Sequence, residues 1–482
     1  MPAALRLRRL LLLAFEQTFD KIELINMIFR RLFSAFVILL CTASCKKYLD
    51  KKSDSSLIVP QTLEDAQGLL DLSTIMNRAT PALGETSATD YFLLTSDYDV
   101  LGTFEKNFYT WTPGEYNYVN DWRYSYLAVY YSNLSLEIID KVPVTTQNQL
   151  QWNNVKGSAL FFRAYYFLNL SWIFSKAFDD GTANNDLGIA LRLGSDFNVP
   201  SVRATVRQSY DRVILDTKTA IPLLPDYPQH VLRPSKAAAY GLLARAYLSM
   251  RKYDSAFKYS DLCLRLKNEL MNYNVQGGDV IDITAPVTFK RYNAETIFFS
   301  QINLQTLAHP DLGKIDTVLY AMYDSNDLRK KAFFTPDPGS RYQKFKGNYT
   351  QAKDFFFTGI ATDEMFLTRA ECYARLNNKD SALADLNKLL RNRWQTGTFA
   401  DITATDAQDA LNKILVERRK ELLMRGLRWI DIKRLNKEPG PGIFLNRVMH
   451  GQTYTLQPNA GYYALPLPTD IINLTGMPQN PY

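Results

Sequence analysis

A chain of 482 residues holds material for one large core or for two to three ordinary domains. Its 46% hydrophobic and 22% charged residues are the balance of a globular protein and exclude a disordered one. When the six basic and three acidic residues of positions 1–44 are set aside, 56 and 49 become 50 and 46, a charge of +4. That is too small and too dispersed to argue for nucleic acid.

The first element is a targeting segment. Arg30-Arg31 precede an apolar run from Leu32 to Leu40, then Cys41-Thr42-Ala43-Ser44-Cys45. A basic start, a short apolar stretch and small residues before a cut site describe a secretory signal peptide. The run falls short of the roughly 20 apolar residues that span a bilayer. Cys45 follows two small residues as in a bacterial lipobox, where the cysteine is diacylated and becomes the new N-terminus, although Thr42 stands where Leu is usual. Lipidation at Cys45 gives a membrane anchor; a plain secreted protein is the alternative. The signal peptide is placed at 1–44, with Met27 as the natural start, and the folded domain at 45–482.

Between Phe104 and Tyr131 lie eleven aromatic residues in 28. Trp122, Tyr126, Val129 and Asn133 follow one face of a helix, which predicts core. Tyr109, Trp111, Tyr116 and Tyr118 surround Pro113-Gly114, a turn signal, without helical period. Aromatic faces on a loop suit the C–H faces of sugar rings, and Asn107, Asn117 and Asn120 nearby suit the hydroxyls. These residues are the predicted ligand site.

Helical hairpins follow. Lys156–Trp172 and Tyr210–Leu224 form a split pair around a long excursion. From Ser235 to Leu266, Ala244, Tyr247, Tyr253 and Ala256 keep the small–Tyr–aromatic–Ala spacing of a tetratricopeptide unit, in which a small residue lets two helices cross closely. Asp363–Asn392 repeats the spacing with Phe366, Ala370, Tyr373 and Ala382, and Ala407–Leu435 is a fourth helical stretch. The fold class is therefore mostly α: four tetratricopeptide-like hairpins carrying long irregular insertions. Residues 270–360, rich in Gly, Asn, Asp, Thr and aromatics, form the longest insertion, and function concentrates in such loops. Tyr320, Tyr323, Tyr342, Phe345 and Tyr349 are a second candidate wall.

Catalytic signals are weak. His230, His309 and His450 are isolated, and Gly277-Gly278 leads into Asp279-Val280 instead of the Lys-Ser/Thr of a phosphate loop. Cys263 and Cys372 sit in helical apolar patterns, with no metal-binding spacing and a disulfide left open. The charged run 417–434 predicts pairing along one helix, Glu421 with Arg425 and Arg428 with Asp431. No enzyme, cofactor or metal is expected.

Four stretches resemble the SusD/RagB family of nutrient-binding outer-membrane lipoproteins. They are Cys45-Lys-Lys-Tyr-Leu-Asp50; Trp122-x3-Tyr126-x2-Val129-x2-Ser132-Asn133; Glu417-Arg-Arg-Lys-Glu-Leu422 through Gly426-Leu-Arg-Trp-Ile-Asp431; and Leu465-Pro-Leu-Pro-Thr-Asp470 with Gln479-Asn-Pro-Tyr482. Lys156-Gly157-x-Ala159 and Arg163-Ala-Tyr-Tyr166 extend the likeness across 45–482. The chain departs from the pattern in lacking a Gly between Pro481 and Tyr482 and in carrying Asp470 where Glu is commoner. The resemblance implies a surface-exposed lipoprotein that binds oligosaccharide and sits as a lid over a SusC-like TonB-dependent transporter, without chemistry of its own. Two other readings stay open: a binder of peptides or other non-sugar nutrients on this architecture, or a tetratricopeptide scaffold of the envelope.

Overall fold

The computed structural model describes residues 60–117, 120–275, 281–304 and 306–482. Cys45, the signal segment and Tyr118 lie outside them. Among the described residues no helix is long and apolar enough to cross a membrane.

The chain is mostly helical, and local signals explain where its helices begin. Helix α1 (Leu63–Leu70) opens on a capping box between Thr62 and Asp65. A short turn of helix, α2 (Leu83–Ser87), leads to α3 (Thr103–Thr110). Helix α4 (Asp121–Ile139) is capped by Asn120, whose side chain accepts from the Arg123 amide at 2.9 Å. Helix α5 (Gln149–Phe174) is buried at every position from 157 to 174. Its sequence is apolar around its full circumference, as a central core helix requires.

Against α5 pack α4 and α6 (Val206–Ala220), so the split pair does form, with the excursion carrying a two-stranded ribbon, Leu187–Ala190 with Arg203–Thr205. Helices α7 (Lys236–Ser249) and α8 (Tyr253–Leu266) form the next hairpin. Ala239, Ala244 and Ala256 are fully buried there, and Tyr247 stacks on Tyr259 at 5.6 Å. Helices α9 (Thr362–Arg375) and α10 (Lys379–Arg391) form another, and α9 also packs on α8. Cys263 and Cys372 are free, buried thiols, both pushed up by burial.

The fourth stretch is two helices with different neighbours. Helix α11 (Ala407–Glu421) lies on α9 and α10, while α12 (Arg428–Leu435) lies on α2 and α5. The break falls where Met424 and Gly426 take positive φ, 54° and 73°. The predicted local ion pairs therefore do not form. Glu421 binds Arg329 and Arg393, Arg425 binds Asp363, and Asp431 binds Arg418 and Arg434. A helix terminus, α13 (Thr469–Thr475), ends on Gly476 in the left-handed region.

Two large apolar clusters result. The first centres on α5 and the hairpins. The second is built from the 270–360 insertion, with Phe289, Phe333, Phe345, Tyr349, Phe356 and Phe357 buried, joined by Tyr91 and Tyr109. Short strand pairs join the insertion to the rest, Tyr91–Phe92 with Lys314–Ile315 and Thr296–Phe298 with Ile360–Ala361, and a hairpin of Phe334–Pro336 with Gln343–Phe345 lies within it. The expected open loop is thus a folded layer with its own core.

Candidate functional site

A cavity of about 490 Å³ lies on the seam between the two clusters. Phe104, Glu105 and Phe108 of α3 form one side with Tyr116; Asn120 and Asp121 form its floor with α2; Asn303, Leu304, Leu307 and Phe355 come from the insertion. The aromatic rings are organised: Phe108 meets Phe104 at 4.9 Å and Tyr116 at 5.2 Å, both edge-on.

The polar side chains of the lining are only partly engaged by the protein. Asn120 spends its oxygen on capping α4, and its amide nitrogen has no hydrogen-bond partner. Asp121 accepts from the Leu83 amide at 2.7 Å through one oxygen, and its other oxygen has none. Both side-chain atoms of the Asn303 amide are also unpaired. Similar unpaired buried atoms occur in the core, such as Ser158 Oγ and Trp172 Nε1, so it is the position of these polar side chains beside the aromatic wall that marks the cavity. Burial pushes Asp121 up to about 6, against the Leu83 and Ala82 N–H groups and the nearby Asn303 amide, which favour its charged form.

The predicted residues sit elsewhere in part. Asn107 and Tyr109 are on helix α3, not on a loop. Tyr109 is fully buried with Arg447 3.7 Å over its ring, and Arg447 also lies 4.9 Å over the Trp111 ring. Trp111 donates its indole N–H to the Ser87 carbonyl at 3.0 Å and ends α3 at a positive φ of 55°. The faces offered for stacking are therefore covered by a guanidinium from 338 residues away. Tyr116 does line the cavity, although its hydroxyl donates to the Pro466 carbonyl at 2.7 Å. Asn107 packs beneath Gly114, where any Cβ would run into its amide, and Asn117 is exposed. Of the asparagines 107, 117 and 120 predicted for the site, Asn120 is the one that lines the cavity.

Comparison with known proteins fits this architecture. Residues 47–248 match a family described as starch-binding and associating with the outer membrane, and residues 341–482 match the SusD family. The chain belongs to the SusD/RagB family. A SusD-like protein P2 of Formosa agariphila is 23% identical over 421 residues, 75% of this chain and 79% of that one. A SusD superfamily protein of Bacteroides thetaiotaomicron superposes with a TM-score of 0.68 at 20% identity, covering 87% of this chain and all of that one. A SusD-like carbohydrate binding protein of Bacteroides vulgatus gives 0.62 at 20% identity, with 86% and 96% covered. At such identities the superpositions establish the SusD fold.

In this SusD-like chain the second candidate wall is also largely core. Tyr323, Phe345 and Tyr349 are buried; the Tyr323 hydroxyl donates to the Lys420 carbonyl at 2.8 Å, and Tyr349 binds Glu295 and Asp363. Tyr320 and Tyr342 are half-buried, against Phe334 and Phe92. Among the described residues the one buried carboxylate trio with metal-like proximity, Glu295, Asp363 and Glu421, is taken up by Arg393, Arg425 and Arg329. Among the described residues the histidines pair with acids or backbone: His309 with Asp354 at 3.0 Å, His450 with Asp99 at 2.7 Å, and His230 with the Leu232 amide.

The functional candidates the sequence reading missed are Phe104, Phe108, Asp121, Asn303 and Phe355. A signal existed for three of them. Phe104 and Phe108 are spaced i,i+4, and Asn120-Asp121 reads as a helix cap with an acidic first turn. Nothing local marks Asn303 or Phe355.

Proposed function

We propose that this protein captures an oligosaccharide in the cavity between α3, α4 and the insertion, and delivers it to a SusC-like TonB-dependent transporter. The observation that carries the reading is the Phe104–Phe108–Tyr116 aromatic wall facing a cavity that Asn120, Asp121 and Asn303 also line. Aromatic rings cover the apolar faces of a sugar, and its hydroxyls donate and accept where the wall is unsatisfied. The family description, starch-binding and associating with the outer membrane, supports the saccharide ligand and the outer-membrane setting. No covalent step is involved.

The reading fixes how binding depends on pH. A hydroxyl donating to Asp121 favours the ionised carboxylate, so binding weakens as pH falls through about 6. A carboxyl at that position is mostly protonated at pH 5, and affinity there is expected to be about tenfold lower than at pH 7.5. Calorimetry across that range checks this; Asp121→Asn removes the slope if Asp121 is its source, and a slope that survives the substitution assigns it elsewhere.

Anchoring is proposed through Cys45. Cys45→Ser is expected to abolish incorporation of labelled fatty acid and to move the protein from the membrane fraction to the soluble one. Labelled, membrane-bound Cys45→Ser protein would place the anchor at another residue.

A further inference from the structure

We propose that the cavity accepts neutral, hydroxyl-rich saccharides and rejects sugars bearing carboxylate or sulfate groups, an inference that rests on the cavity being the ligand seat. Its two ionisable acids, Glu105 and Asp121, are its only charged side chains among the described residues. Neither is paired with a described Lys or Arg. The groups that favour the charged form of Asp121 are two backbone N–H groups and the Asn303 amide, with no cation among them.

The adjacent lysines are engaged away from it. Lys106 donates to the Asp99 carbonyl at 2.9 Å and lies over the Tyr98 ring, and Lys353 pairs with Asp311 at 3.4 Å. Elsewhere this chain does the reverse. The buried acids Asp216, Asp327, Glu364, Glu371, Glu421 and Asp431 each carry an arginine within 3 Å. Glu85 is the exception outside the cavity, a buried acid that accepts from the Gly426 amide without an ion pair.

Hydrogen-bond polarity leads to the same class. The unpaired atoms include acceptors, Asp121 Oδ1 and Asn303 Oδ1, as well as the donor nitrogens of Asn120 and Asn303. A hydroxyl donates and accepts, so one type of group satisfies all four. A carboxylate or sulfate only accepts, and it sets like charges together in a partly enclosed site, where solvent screens them weakly.

The test is a matched pair of polymers: polygalacturonate, and its carboxyl-reduced neutral galactan, alongside starch, laminarin, xylan and mannan as neutral probes and alginate and chondroitin sulfate as acidic ones. Retention in affinity gels is read for the wild type, for Phe104→Ala and for Glu105→Gln/Asp121→Asn. The expected result is retention by at least one neutral glycan, lost on Phe104→Ala, with every acidic probe weaker by about tenfold or more. The double variant is expected to narrow that gap. Retention by an acidic glycan that Phe104→Ala abolishes overturns the charge selectivity and leaves the ligand seat standing. Retention untouched by Phe104→Ala overturns both, and no retention of any neutral probe overturns the selectivity.

Discussion

Replacing Arg329 with methionine is expected to lower the unfolding free energy by about 3 kcal/mol, at the lower end of what breaking a buried ion pair costs. Arg329 is fully buried and binds Asp327, Glu417 and Glu421 at 2.6–2.9 Å. Removing it strands carboxylates that are themselves nearly or wholly inaccessible. The loss stays near the lower end because Lys420 still contacts Asp327 and Glu417, and Arg393 still holds Glu421. Burial alone would raise Asp327, but Arg329 and Lys420 more than offset it and hold the carboxyl below its usual range. A carboxylate held down this way stabilises the fold above its unfolded pKa, roughly 4, and the gain disappears as pH falls through the lower folded value. The deficit of Arg329→Met should therefore shrink in acid. Arg391, paired with Asp401 on the surface at 56% and 48% exposure, is the control. Arg391→Met should cost less than about 1 kcal/mol. Urea unfolding of the two variants decides; equal midpoints would mean the network contributes no more than a surface pair.

Phe104→Ala and Asn303→Ala are each expected to weaken saccharide binding by about ten- to a hundredfold, the effect of about 1–3 kcal/mol. Phe104 offers the half-buried ring of the aromatic wall, and Asn303 faces it from the insertion with both amide atoms unpaired. Asn303 carries no described side-chain hydrogen bond, so Asn303→Ala should leave thermal stability close to that of the wild type, while Phe104→Ala should lower it by the packing lost against Phe108 and Tyr116. Tyr320→Ala and Tyr342→Ala, from the second candidate wall, should leave affinity unchanged. The opposite pattern, with binding sensitive to Tyr320 and Tyr342 and indifferent to Phe104, would move the site to the outer face of the insertion.

The hairpins were legible because their signal is local. Ala244, Tyr247 and Ala256 are spaced for close helix crossing whatever surrounds them, and they are found at one. The same holds for Trp122, Val129 and Asn133, which keep one buried face of α4. The aromatic loop was misread because an aromatic count says which segment is sticky, not what covers it. Tyr109 and Trp111 are covered by Arg447, and Tyr116 is tied to Pro466, partners more than 300 positions away. The charged run failed for a different reason: Gly426 permits a break that sends Arg425 to Asp363 and leaves Glu421 to Arg329 and Arg393. Four of the thirteen lining residues, Asn303, Leu304, Leu307 and Phe355, belong to a segment whose burial is decided by long-range pairing, and the first three fall in the stretch 249–340 between those matched to the family.

The most direct test of the cavity as ligand seat is a crystal structure of the protein with the oligosaccharide that binds best. The account predicts a sugar ring against Phe104 and Tyr116, with hydroxyls within hydrogen-bond distance of Asn120, Asp121 and Asn303. A sugar seated instead in the apolar groove of Trp122, Tyr126 and Phe197, with the four polar atoms still unpaired, would contradict it.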